Sequence, residues 1–76
     1  MQFRRFRAKK IVYEKNDYAD EIYFLSSGRV AFTYGASNFT FKTMLAGSFF
    51  GEIELIDHTA REFTAITEMS SEFFVL

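Results

Sequence analysis

Phe49-Phe50-Gly51-Glu52-Ile53-Glu54-Leu55-Ile56-Asp57-His58-Thr59-Ala60-Arg61-Glu62-Phe63-Thr64-Ala65 is the stretch around which the chain is organised. It sets a glycine and a carboxylate at the head of a short apolar turn. A lone arginine stands nine residues after Glu52, and a β-prone run follows. Free backbone N–H groups at a helix start, one guanidinium and one acid suit a small sugar phosphate. The donors and the arginine would hold the phosphate, and the acid would accept from a hydroxyl. Each residue also has a plainer reading. Gly51 permits positive φ and close backbone approach, but turns use glycine for the same reason. Glu52 reads as an inward acid that needs donors, or equally as a helix-start acid favoured by the dipole. Arg61 is always charged and can grip phosphate bidentately, or it can form an ion pair with Glu52 or Asp57.

Outward from this cassette the chain alternates between short apolar runs and turn residues. The pattern predicts strands over 10–14, 21–25, 29–34, 39–44, 63–67 and 72–76, with Phe49-Phe50 leading into the cassette. The second run, Glu21-Ile22-Tyr23-Phe24-Leu25, is almost continuously apolar and reads as buried on both faces. In the third, Val30, Phe32 and Tyr34 share a face. Gly35-Ala36-Ser37-Asn38 reads as a hairpin loop that pairs the fourth run with the third. Residues 1–8 read as a lead-in, because Phe3 and Phe6 are three apart and suit one helical turn or an irregular segment. Residues 9–76 then form one small all-β domain, a sandwich, barrel or roll.

Eleven phenylalanines and four tyrosines supply the core. Such rings bury large areas and favour strands. There are no cysteines and one histidine, so disulfides and a zinc site are not expected. No apolar run approaches the ~20 residues of a membrane span, and the first residues lack a signal-peptide core. These features point to a cytoplasmic chain, or to the intracellular part of a larger one such as a membrane protein. The run Phe73-Phe74-Val75-Leu76 has the character of core sequence, and the chain reads as a fragment of marginal stability on its own. Arg4, Arg5, Arg7, Lys9 and Lys10 form a basic head without an acid, read as a solvated lead-in rather than a nucleic-acid or lipid contact. The acidic remainder argues against a nucleic-acid surface.

Catalysis finds little to work with. Ser26, Ser27, Ser70 and Ser71 lie in turns, and His58 reads as a solvated loop residue with no nucleophile beside it. Glu52, Glu54 and Asp57 lack a recognised metal-ligand spacing. The expectation is a chain that is not an enzyme, with no metal and no resident cofactor.

Phe50-Gly51-Glu52-Ile53, then Leu55, Arg61 and Thr64, resembles the phosphate-binding cassette of cyclic-nucleotide-binding domains. Such domains occur in cyclic-nucleotide-gated and related potassium channels, in the regulatory subunit of the cyclic-AMP-dependent kinase, and in catabolite-activator-type regulators. Asp20-Glu21-Ile22-Tyr23-Phe24-Leu25-Ser26-Ser27-Gly28-Arg29-Val30 resembles the family's apolar strand closed by a glycine turn. Gly47-Ser48-Phe49-Phe50-Gly51-Glu52 resembles its approach to the cassette. The resemblance spans roughly residues 9–76 and implies an antiparallel, jelly-roll-like β-roll of eight strands with one short helix. It implies a site at Phe50, Gly51, Glu52, Ile53, Glu54, Arg61, Glu62 and Phe63. Glu52 would accept from the ribose 2′-hydroxyl, and Arg61 would pair with the cyclic phosphate. The backbone N–H groups of Glu54 and Glu62, with Gly51, would complete the cradle. Helices that cap the base in the family would follow Leu76.

Two acids depart from the family pattern. A small residue usually stands where Glu54 does, and Ala, Ser or Thr where Glu62 does. At ~7 Å and an effective dielectric of ~20, each carboxylate would cost a bound phosphate about 2 kcal/mol before screening. Ala60 stands where the family has proline. The absence of threonine at position 62 leans towards cyclic AMP over cyclic GMP.

The reading is therefore a cyclic-nucleotide sensor that acts on an attached effector, with a lean towards a membrane channel and the possibility of a homo-oligomer. One alternative is a ligand-free structural roll of a channel, with Arg61 locked by Glu62, Glu52 or Asp57. Another is the sensor of a kinase regulatory subunit or a catabolite-activator-like regulator.

Overall fold

The computed structural model describes residues 1–34 and 39–76, so the expected hairpin loop over 35–38 lies outside the described residues. Eight strands and one helix follow in the order β1 (Gln2–Phe6), β2 (Ile11–Tyr13), β3 (Tyr23–Ser27), β4 (Arg29–Thr33), β5 (Thr40–Leu45), β6 (Phe49–Phe50), α1 (Glu52–Asp57), β7 (Thr64–Thr67) and β8 (Ser71–Val75). They form two antiparallel four-stranded sheets, ordered β1-β8-β3-β6 and β2-β7-β4-β5. The result is a mainly β, jelly-roll-like β-roll with one short helix, as the sequence predicts.

Alternation along the strands builds the core between the sheets. Tyr23, Leu25, Phe50, Phe73 and Val75 come from one sheet, and Tyr13, Val30, Phe32 and Ala65 from the other. Phe50 is its aromatic hub, stacked on Tyr23 with ring centroids 5.1 Å apart and 5.8 Å from both Phe32 and Phe73. Truncating a ring so enclosed typically costs about 3–5 kcal/mol, so the ring cluster fixes how the two sheets register.

Residues 2–6 differ from the expected helical turn or irregular lead-in. They pair with β8, from Gln2 opposite Val75 to Phe6 opposite Ser71. The three-residue spacing of Phe3 and Phe6 puts them on opposite faces of a strand. Phe6 packs edge-on against buried Phe73, and Phe3 packs edge-on against Phe74. In the basic head Arg5, Arg7, Lys9 and Lys10 are exposed, as expected of a solvated segment, and only Arg4 is half-buried, paired with Glu21 at 2.6 Å.

The β3 run is buried on one face and not on both. Tyr23 and Leu25 point inward, whereas half-buried Phe24 lies in register with Phe74 and Phe49. Phe3, Phe74, Phe24 and Phe49 thus form one row across the first sheet. Tyr34 lies beyond the end of β4, exposed and stacked on Phe41, while Val30 and Phe32 are buried as expected. No described helix is long and apolar enough to cross a membrane.

Two corners lock the sheets together. Buried Thr67 donates its hydroxyl to the Arg7 carbonyl at 2.6 Å and accepts from the Lys10 N–H at 2.9 Å, which holds the β1–β2 turn. At the β3–β4 turn, Gly28 has φ 102° and lies against Ser71, whose hydroxyl accepts from the Arg29 N–H and donates to the Met69 carbonyl.

Candidate functional site

The cassette begins where β6 delivers Phe50 into the core and the chain must turn at once into α1. Gly51 makes that turn with φ 84°, a left-handed conformation that disfavours side chains. A Cβ here would lie 3.0 Å from Arg61 Nη1 and 3.1 Å from Tyr23 Cδ2, so close approach demands glycine as well. α1 is six residues long and has no side-chain cap on its first N–H groups. It ends at His58, an exposed residue with φ 58°, whose backbone N–H donates to the Glu54 carbonyl. The Thr59 N–H donates to the same oxygen at 2.9 Å.

This tight ending swings the chain back so that Arg61 enters the roll. The β2–β3 loop clamps its backbone: the Arg61 N–H donates to the Asp17 carbonyl, and the Asn16 N–H donates to the Arg61 carbonyl. Asn16 adopts φ 77°, and the Asp17 carboxylate accepts from the Glu14 N–H, so the turn expected at Asn16-Asp17 positions the arginine.

Arg61 is 2 % exposed, and so is Glu54. Arg61 Nη1 donates to the Gly51 carbonyl at 2.6 Å and to Glu54 Oε1 at 3.1 Å, and Nη2 donates to the Glu21 carbonyl at 2.7 Å. The guanidinium carbon lies 4.2 Å from the centroid of the Tyr13 ring, a cation–π contact inside the protein. Nε is buried without a hydrogen-bond partner. The acid that meets Arg61 is therefore Glu54, and not Glu52, Asp57 or Glu62, the acids expected to pair with it. The short helix presents its third residue towards the arginine, whereas Asp57 and Glu62 are exposed. The arginine is also fully enclosed.

Beside the pair lies a cavity of about 70 Å³ lined by Tyr13, Phe32, Lys42, Met44, Phe49, Phe50, Gly51, Glu52, Ile53, Glu54 and Phe63. Six of the eight expected site residues thus share one cavity. Arg61 does not line it but contacts Gly51, Glu54 and Tyr13, which do, and Glu62 stays exposed outside it. Glu52 is half-buried on the wall, as its reading as an inward acid requires. At about 70 Å³ the space is well below the ~300 Å³ at which small-molecule pockets begin.

Several residues of the site were not singled out from the sequence. Tyr13 is a strand-end tyrosine with nothing local to mark it as the platform for a guanidinium. Glu21 serves through its carbonyl, and its carboxylate is held by Arg4 at 2.6 Å and the Tyr23 hydroxyl at 2.7 Å. The Arg4 hydrogen bonds hold the Glu21 carboxyl below its ordinary range. Burial first, and then the bond to Glu21, push the Tyr23 phenol up, and burial does the same to Tyr13. Both phenols are neutral at any ordinary pH, Tyr23 as a donor to Glu21 and Tyr13 as the platform under Arg61.

A family model described as the cyclic nucleotide-binding domain matches residues 3–76, and the chain belongs to that family. Among solved structures, the chain is similar to the EAL enzyme Bd1971 in its cAMP-bound form, at TM-score 0.89 and 21% identity, covering 99% of this chain and 21% of that one. It is similar to the c-di-GMP responsive global regulator CLP of Xanthomonas campestris, at 0.87 and 24%, covering 99% and 38%. It is also similar to the regulatory subunit of a cAMP-independent protein kinase A from Trypanosoma brucei, at 0.91 and 14%, covering 99% and 27%. At these identities the likeness is one of fold, and the chain spans well under half of each of these proteins. No curated protein matches the chain in sequence.

Proposed function

We propose that this chain is the ligand-sensing roll of a larger regulatory protein, that it binds a 3′,5′-cyclic nucleotide, and that it passes the event to an attached effector. The observation that carries the reading is the meeting of Gly51, Glu52 and the uncapped start of α1 on one cavity wall with Arg61 directly behind. That is one acid, one guanidinium and a set of backbone donors, the groups a ribose hydroxyl and a cyclic phosphate need. In this reading Glu52 accepts from the 2′-hydroxyl, Arg61 pairs with the phosphate, and the Glu54 and Glu62 N–H groups complete the cradle. Phe50, Ile53 and Phe63 supply apolar wall, and cyclic AMP is the preferred ligand. Binding works by population shift, favouring whichever effector arrangement accommodates the filled roll.

A soluble regulator is the better-supported effector. The solved relatives of the roll are parts of a signalling enzyme, a global regulator and a kinase subunit. The channel reading rests on the aromatic richness and on Phe50-Gly51-Glu52-Ile53-Glu54-Leu55 alone. A ligand-free structural roll is the second reading, favoured by the engagement of Arg61 with Glu54 and by the small cavity. Calorimetric titration of the full-length protein with cyclic AMP and cyclic GMP separates the two. The sensor reading expects saturable binding below millimolar, tighter for cyclic AMP and lost in Arg61→Ala. Absence of binding for both nucleotides would leave the structural roll.

A further inference from the structure

The Glu54 carboxylate has no part in holding the proposed ligand, yet it is the acid that touches the arginine. Glu54 offers its backbone N–H to the proposed phosphate cradle, but its carboxylate is buried in contact with Arg61 at 3.1 Å. Side-chain exposure is 1% for Arg61 and 3% for Glu54. A carboxylate so enclosed is held there by its partner, since an unpaired buried charge is heavily penalised. Its other neighbours supply no second cation: Tyr13 and Gly51 flank the pair, and Lys42 on the same cavity is exposed. The arginine is similarly committed, with Nη1 on Gly51 and Glu54 and Nη2 on Glu21. Its Nε has no partner, and Nη2 spends one of its two hydrogens on Glu21.

We infer that Glu54 is a tethered anion that occupies the phosphate-binding arginine of the roll, so that the phosphate of a ligand must compete with this carboxylate for Arg61. The inference rests on the cyclic-nucleotide reading and adds to it the residue that sets affinity and charge selectivity. The guanidinium is balanced from within by Glu54, and the cavity beside the pair, about 70 Å³, is too small for a nucleotide. Entry of a phosphate requires Glu54 to leave Arg61, because two anions cannot share one buried cation without a large electrostatic cost. The carboxylate therefore discriminates against the charged part of the ligand and is indifferent to the uncharged part. Glu54 acts as a positioning residue: it restrains Arg61 and contacts no reacting atom.

The test compares two ligands on the full-length protein and its Glu54→Gln and Glu54→Ala variants. Cyclic AMP carries the phosphate charge, and adenosine presents the same base and ribose without it. Removing the carboxylate charge is expected to tighten cyclic AMP by about tenfold or more, which corresponds to about 1.4 kcal/mol. Adenosine is expected to change by less than about threefold, since it carries no charge for the carboxylate to oppose. A purely structural loosening would move both ligands together, and an equal shift for the two would overturn the inference. So would cyclic AMP binding that is unchanged or weaker in both variants while the unmodified protein binds it, and the sensor reading would then survive. No cyclic AMP binding by any of the three proteins would overturn both. Glu54→Gln keeps an acceptor for Nη1 and guards against the misfolding that Glu54→Ala invites. In the unmodified protein, the ¹³C carboxyl resonance of Glu54 should shift on saturation with cyclic AMP. A resonance that stays put under saturation would also overturn the inference.

Discussion

The roll turns twice on the same device, and the two corners end in opposite states. At Gly28 and at Gly51 a glycine with positive φ lies against a polar side chain from a distant strand or loop, Ser71 in one case and Arg61 in the other. At the Gly28 corner the Ser71 hydroxyl both donates and accepts, and it lines none of the cavity described above. At the Gly51 corner a buried charge pair stands beside a cavity, with one guanidinium nitrogen left over. The geometry of the turns is shared, so the glycines do not distinguish structure from site. What distinguishes them is whether the polar group behind the glycine has all its partners within the fold.

The largest effect expected from breaking this contrast lies at the charge pair. Arg61→Ala leaves Glu54 buried without a cation and should cost about 3–5 kcal/mol in urea unfolding. Arg61→Ala combined with Glu54→Ala should recover much of that loss, because no charge is then stranded. Gly28→Ala comes next: its Cβ would stand 2.2 Å from Ser71 Oγ and 2.6 Å from the Ser70 carbonyl, at φ 102°. A loss of about 3 kcal/mol is expected, with the ligand affinity of the folded protein unchanged. Gly51→Ala is milder in stability, about 1–2 kcal/mol, since its nearest atoms stand at 3.0 and 3.1 Å and need give way by only a few tenths of an ångström. Its ligand affinity should fall, the reverse of the Gly28 outcome, and equal effects at both corners would erase the distinction.

The smallest effect belongs to the outer support of the site. Arg4 and Glu21 are about a third exposed, so Arg4→Ala should cost under about 1 kcal/mol at neutral pH. Its signature is in pH. Because Arg4 lowers the folded-state pKa of Glu21 below its ordinary 4.5, their contact stabilises the fold above that pH. The contribution is lost as pH falls through the folded value. Arg4→Ala should therefore flatten the acid limb of stability between neutral pH and the acid range, measured by melts across that window.

How much of this could be read from the chain depends on whether the signal was local. Gly51, Glu52 and Arg61 stood out because a short turn needs glycine and because few cations follow Arg29. β2 to β8 were legible through alternation and glycine turns, and the eight-stranded roll through the family resemblance. β1 was not, since its two phenylalanines serve opposite faces of an edge strand and its partner β8 lies at the far end of the chain. The same spacing in isolation is that of a helical turn. Phe24 escaped for a related reason: an outward aromatic row looks like burial when only hydrophobicity is read. The partner of Arg61 was undecidable from spacing, because Glu52, Glu54, Asp57 and Glu62 all lie within reach of a short helix and loop. Only the left-handed ending at His58 selects Glu54. Tyr13 and the Glu21 carbonyl carried no sequence signal, as one is an ordinary core tyrosine and the other is backbone.

The most direct test of the account is the structure of the full-length protein saturated with cyclic AMP, read at one contact. The guanidinium of Arg61, now 3.1 Å from Glu54 Oε1, should have left the carboxylate for the cyclic phosphate, with Glu52 on the 2′-hydroxyl. A nucleotide bound elsewhere, or bound in the cavity with the Arg61–Glu54 pair intact, would contradict it.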